Sequence, residues 1–214
     1  MPASLAVIHA LGLLTCFALL GTSRIGACIR WLSLQGILFS LVPVVFHDDG
    51  LGLRVMLLAG GNIVLKGVLF PAVLLHLRAR TNYHREVEPF VGFVASILFG
   101  VVALAVSLGL AVKLHPALSH TPFVMLEAAI FLVAIGLFLI VSRRNALMQV
   151  LGYLVIENGI FVFAVITVVE TPLLVELGIL LDAFVAVFVM GIAVFHITLE
   201  FGTADVDQLT TLRG

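Results

Sequence analysis

Long apolar runs, separated by short polar or proline-containing breaks, make up most of this chain. They cover approximately residues 4–21, 26–46, 52–76, 90–112, 122–141, 147–169 and 173–198. A membrane-spanning helix needs about 20 largely apolar residues, so the pattern predicts an all-α polytopic membrane protein with about seven spans. The runs are continuously apolar, whereas the strands of a membrane barrel alternate with period two over about 10 residues. The first run reads as a retained span, because Met1 to Leu5 carries no basic side chain and the run exceeds the apolar core of a cleaved signal.

The breaks carry helix punctuation. Thr121-Pro122 and Thr171-Pro172 each place a hydroxyl before a proline, which predicts a capping side chain followed by proline at the first helical position. Glu88-Pro89 opens the fourth run in a similar way, with an acid beside the positive end of the helix dipole. Pro43 and Pro71 lie inside runs and predict kinks, which free backbone carbonyls that only protein or water can satisfy in a bilayer. Gly60-Gly61 reads as a site where a neighbouring helix packs closely.

Composition agrees with a bilayer environment and narrows the function classes. Of 214 residues 62% are hydrophobic, with 11 basic and 12 acidic side chains and a formal charge of -1. That charge offers no basic patch for nucleic acid, so no nucleic-acid partner is expected. Cys16 and Cys28 lack metal-site spacing and are read as packing residues. No Gly-X-Ser-X-Gly, phosphate loop, His-Glu-X-X-His or Cys-X-X-Cys motif is present, so no catalytic residue, metal ligand or cofactor-binding residue is assigned.

Arg24, Arg30, Arg78, Arg80, Arg85, Arg143, Arg144 and Arg213 fall on one side of a seven-span topology, and Arg54 and Lys113 on the other. The positive-inside rule then puts the N-terminus outside and the short polar tail, Gly202 to Gly214, in the cytoplasm. An internal repeat is also open: Ser23-Arg24 lies 119 residues before Ser142-Arg143, and runs one to three would share the orientation of runs five to seven.

A few charges remain inside the runs, where an ionisable group costs at least about 2.5 kcal/mol and normally faces protein or water. Glu157 is eleventh in its run, Asp182 tenth and Lys66 fifteenth, all near mid-membrane; Glu127 is six residues into its own, about a quarter of the way across. Low dielectric favours the neutral form of acids and amines alike, so such groups are candidate proton carriers if they converge. Each has a plainer reading: Lys66 and an acid as a structural ion pair, and Glu127 as a hydrated carboxylate near the outer surface. His196 is a candidate proton entry group, and Tyr153 and Asn158 are candidate partners of Glu157 or packing residues. His9, His47, His84, His115 and His120 read as solvated surface or interface residues.

The segment Ser142-Arg143-Arg144-Asn145 to Gly152, running into Ile156-Glu157-Asn158, resembles the second helix of the three-helix K subunit of respiratory complex I. That helix has an Arg-Arg-Asn start, a glycine seven residues later and an intramembrane glutamate. Asp182-Ala183 stands where that family has its second acid, and the Arg213-Gly214 ending is similar too. The similarity covers roughly residues 122–214. With four helices in front, the chain resembles the hydrogenase-4 component E family, which suggests an N-terminal four-helix part, 1–115, and a K-like part, 116–214. Two departures stand out. The complex I glutamate would fall at Leu154, three residues before Glu157 and so on nearly the same helix face, and the second acid is Asp182 rather than glutamate.

The resemblance implies a non-catalytic membrane subunit of an oxidoreductase complex, in a bacterial or archaeal cytoplasmic membrane, connecting a redox module to antiporter-like proton-pumping subunits. Glu157 and Asp182 would be links in a lateral charge relay, with Lys66 and Glu127 as additional links. No cofactor is expected in this chain, and its partners would be other membrane subunits and the bilayer. A subunit of a multi-subunit cation/proton antiporter and a purely structural adaptor are the alternatives.

Overall fold

The computed structural model describes residues 3–46, 53–81, 90–167 and 191, and the described residues form helices with no strand. In chain order they are α1 (Ala3–Gly21), α2 (Ile25–Ser40), α3 (Val42–Phe46), α4 (Leu53–Val64), α5 (Phe70–Thr81), α6 (Phe93–Leu114), α7 (Phe123–Ser142) and α8 (Ala146–Thr167). A π-helical segment, Leu65–Leu69, joins α4 to α5. Among the described residues, six spans are long and apolar enough to cross a membrane: Ala3–Gly21, Ile25–Val45, Ala59–Ala79, Phe93–Leu114, Phe123–Ser142 and Ala146–Thr167. They correspond to the first six predicted runs. The seventh run apart from Gly191, the tail, Thr171-Pro172 and Glu88-Pro89 lie outside the described residues.

The α7–α8 hairpin makes the most extensive helix contact. Lipid tails are as apolar as leucine, so helices in a bilayer associate through close backbone approach rather than through the hydrophobic effect. A Cβ on Gly136 would stand 2.6 Å from the Gly152 carbonyl oxygen, and one on Gly152 would stand 2.9 Å from that of Gly136. Gly152 is the motif glycine, and this mutual approach is its physical reason. Helix α6 packs through a stripe of small residues, Ser96, Gly100, Ala103, Ser107 and Ala111, while much of its surface is exposed apolar side chain. Helix α1 packs on α2, α6 and α7, and α2 packs on α8 and on the α4–α5 span.

The arginine motif is structural at the hairpin turn. Arg143 is fully buried and donates to the Leu20 carbonyl at 2.8 Å, where a cation meets the negative end of α1. Asn145 accepts from the Leu147 N–H at 2.9 Å and so caps the start of α8. Arg143 and Arg144 also lie over the rings of Phe93 and Phe90.

Two sequence expectations change. Pro122 precedes α7 as its cap, and the Thr121 hydroxyl donates back to the Leu118 carbonyl at 2.7 Å, closing the preceding turn instead of capping the helix. Among the described residues no atom lies within 4 Å of where a Cβ on Gly60 or Gly61 would stand, and a close helix approach through glycine is found instead at Gly136 and Gly152. Where the sequence leaves an internal repeat open at an offset of 119 residues, the turns that precede α2 and α8 are alike at an offset of 121. The Arg24 carbonyl accepts from Ala27 and Cys28 at 2.9 and 3.1 Å, and the Asn145 carbonyl accepts from Met148 and Gln149 at 2.9 and 3.1 Å. These carbonyls open α2 and α8, each after a three-residue turn.

The proline expectation is met at both positions. Helix α2 is interrupted at Leu41, just before Pro43. Pro71 has no N–H to give the carbonyl four residues earlier, that of Gly67, and the Ser33 hydroxyl of α2 donates to it at 3.0 Å instead. The π-helical segment, the proline and this rescue place an irregular stretch of backbone against α2, and Lys66 stands in it.

Candidate functional site

Lys66 projects from the π-helical segment toward α8, where its Nζ lies 2.8 Å from Glu157 Oε1. The two residues are 5% and 6% exposed, so this is a charge pair taken out of water. The contact is an ion pair without hydrogen-bond alignment, since among the described residues neither Glu157 oxygen accepts a hydrogen bond. The aligned hydrogen bond of Lys66 goes to Asn158 Oδ1 at 3.0 Å, and its ammonium sits 4.5 Å from the ring centre of Phe161. Lys66 is eighth in the span Ala59–Ala79 and Glu157 twelfth in Ala146–Thr167, so the pair lies near mid-span.

A chain of amides continues from Lys66. Asn158 Nδ2 donates to Gln35 Oε1 at 3.2 Å, and Gln35 Nε2 donates to Thr15 Oγ1 at 3.0 Å and to Cys16 Sγ at 3.2 Å. Thr15 then donates to the Gly12 carbonyl at 2.6 Å. Every donor points the same way, from the ammonium toward α1, which lets successive dipoles reinforce one another. The approach of α2 that this requires depends on Gly36, where a Cβ would stand 2.7 Å from that of Lys66. Beside the pair is a small cavity of about 10 Å³, room for about one water, lined by Leu154, Glu157, Asn158, Lys66 and Pro71 among others. Leu154 and Glu157 line the same cavity, as their three-residue spacing predicts.

A second polar cluster joins α1, α6 and α7. Glu127 faces His9 Nε2 through its Oε2, and Ser107 donates to its Oε1 at 3.0 Å. The Glu127 side chain is 4% exposed, so it is enclosed by protein rather than hydrated at the surface, and the His9 side chain is 20% exposed.

Of the residues nominated from sequence, the structure brings together Lys66, Glu157 and Asn158, and it holds Glu127 in a separate cluster. Tyr153 is half-buried and does not hydrogen-bond Glu157. Asp182 and His196 lie outside the described residues. Sequence reading missed the roles of Gln35, Thr15, Ser107 and His9. Gln35, an amide in the middle of an apolar run, carried a signal, since a buried amide needs partners. His9 lies six residues inside the first helix, and that depth was its signal.

The chain is 30% identical to the uncharacterized protein Rv0085 of Mycobacterium tuberculosis over 194 residues, covering 87% of this chain and 86% of that protein. It is 38% identical over 118 residues to hydrogenase-4 component E of Escherichia coli K12, and equally to that of Shigella flexneri. The chain belongs to one family with Rv0085 and is a homologue of hydrogenase-4 component E. The component E match covers 55% of this chain and spans about half, 51%, of the length of that relative. Residues 124–214 match the family of NADH-ubiquinone/plastoquinone oxidoreductase chain 4L. No solved structure gives a significant match. The resemblance read from the arginine and glutamate motifs is thereby borne out, and Glu157 lies within the chain 4L match, whereas Lys66, Gln35 and His9 lie before it.

Proposed function

We propose that this component E homologue is a multi-pass membrane subunit of a hydrogenase-4 or complex I-like energy-converting complex, relaying protons or charge laterally between a redox module and antiporter-like subunits. The homologies support membership of such an assembly. The observation that carries the relay reading is the Lys66–Glu157 pair: opposite charges buried near mid-span, beside a cavity with room for about one water. A proton arriving at Glu157 would release the ammonium from its counter-charge, and one leaving would draw it back. The charge on one side of the pair thereby sets the protonation preferred on the other. Asp182 and Glu127 are the further links in this reading, with His196 as an entry group and Tyr153 and Asn158 as accessories. Membership of a bacterial or archaeal cytoplasmic membrane, with the N-terminus outside, belongs to the same proposal.

The test is ion translocation by the whole complex in sealed vesicles. Glu157→Gln, Lys66→Met and Asp182→Asn variants that assemble are expected to lose translocation by about tenfold or more, the loss typical of a removed proton-transfer group. Assembled variants that translocate at the unmodified rate would establish a structural adaptor instead.

A further inference from the structure

The polar cluster on α1, α6 and α7 differs from the Lys66–Glu157 pair in its helices and in its partners. Glu127 is four residues past the start of α7 and His9 six past the start of α1, which at about 1.5 Å per residue puts both within roughly 10 Å of the same side of the bundle. The parallel course of the two helices explains this: the same pair of helices also meets at its other end through Arg143 and Leu20. Ser107 reaches the carboxylate from α6.

We propose that His9, Glu127 and Ser107 form a second proton-binding site, one that exchanges protons with the aqueous phase on the side where α1 and α7 begin. His9 Nε2 and Glu127 Oε2 face each other, and two bare lone pairs would repel, so the pair retains at least one proton. Uptake of another adds one proton to the pair from water and changes no other bond. Ser107 Oγ stands 3.0 Å from Oε1 and 2.9 Å from the Leu104 carbonyl, two acceptors that share its one hydroxyl proton, so the hydroxyl can donate to the carboxylate or accept from the carboxylic acid. Access runs along His9, whose side chain is 20% exposed where that of Glu127 is 4% exposed.

Of the other ionisable groups on the packed helices, Cys16 on α1 lies close enough to Glu127 to interact with it electrostatically and accepts from Gln35, whereas Glu157 on α8 is turned to Lys66. Lys113 at the end of α6 is exposed, His115 packs edge-on against Phe123, and His120 is exposed and contacts the Thr167 carbonyl. His9, Gly12 and Cys16 recur at three- and four-residue spacing on one face of α1. That face therefore carries both this site and the end of the amide chain from Lys66. A role of the site as the port of the relay rests on the proposed function; proton binding does not.

The experiment is infrared difference spectroscopy of the full chain in lipid vesicles, titrated between about pH 5 and 8, the range in which histidine changes charge. A carboxylic C=O band absent from Glu127→Gln is expected, with its midpoint moved by about one pH unit or more in His9→Gln. In a Cys16→Ala, Cys28→Ala background, His9→Cys is expected to react with a membrane-impermeant maleimide from the side of the chain's N-terminus. If Glu127→Gln does not fold, the midpoint in Ser107→Ala replaces it, and a shift is again expected. A carboxyl band unmoved by both His9→Gln and Ser107→Ala, no such band at all, or labelling from the opposite side alone would overturn the proposal. None of these readouts depends on pumping, so a relay that fails in Glu157→Gln complexes leaves this result standing.

Discussion

Among the described residues, the two buried carboxylates, Glu157 and Glu127, have opposite kinds of partner. Glu157 meets the Lys66 amine near mid-span, and neither of its oxygens accepts a hydrogen bond among the described residues. Glu127 meets an imidazole and a hydroxyl within roughly 10 Å of one end of α7 at about 1.5 Å per residue, with its partner part-exposed. The first arrangement depends on Coulomb attraction to repay desolvation. The second is satisfied by hydrogen bonds. Depth in the bundle thus goes with the chemistry: the enclosed site holds an acid and an amine, and the peripheral site holds a carboxylate hydrogen-bonded to an imidazole and a hydroxyl.

Breaking the first arrangement from one side should have the largest effect. Lys66→Leu leaves the Glu157 carboxylate buried without its cation, and the expected cost is about 3 kcal/mol or more, the usual result of removing one partner of a buried pair. Thermal unfolding in detergent checks this, and the double variant with Glu157→Leu should recover much of the loss. Equal melting of single variant and parent would show that the pair adds no net stability.

A smaller loss is expected from Gln35→Leu. That change removes the acceptor of Asn158 Nδ2 and the donor to Thr15, while leaving Lys66 and Glu157 in place. One or two unsatisfied buried groups cost about 1–3 kcal/mol, and amide hydrogen exchange of α1 and α8 should report the loosening. The smallest effect should come from Glu127→Gln. An amide can keep both the Ser107 and the His9 hydrogen bonds, so the melting temperature should correspond to a loss of about 1 kcal/mol or less. A large destabilisation there would erase the distinction between the two clusters.

The placement of the described helices was legible because an unbroken apolar run of about 20 residues has few other folds available in lipid. The six described spans coincide with six of the runs, and the effects of Pro43 and Pro71 could be anticipated from the missing N–H alone. Depth along the runs nominated Lys66, Glu157 and Glu127. It could not distinguish which of them meet, because depth says nothing of rotation about the helix axis. His9 was read as a surface group for the same reason: its distance from the chain's polar end was visible, its facing was not.

The sequence by itself determined a helical membrane protein, the scarcity of intramembrane charge that singles out Glu157 and Lys66, and the motif that ties residues 124–214 to the chain 4L family. Only the tertiary structure decided that Lys66 reaches Glu157 and Asn158 while Glu127 goes to His9 and Ser107. The physical reason is that hydropathy is a property of each segment. Partnership depends on how segments rotate and approach, and that is governed by backbone contacts such as Gly136 on Gly152 and by the close passage of Gly36 past Lys66.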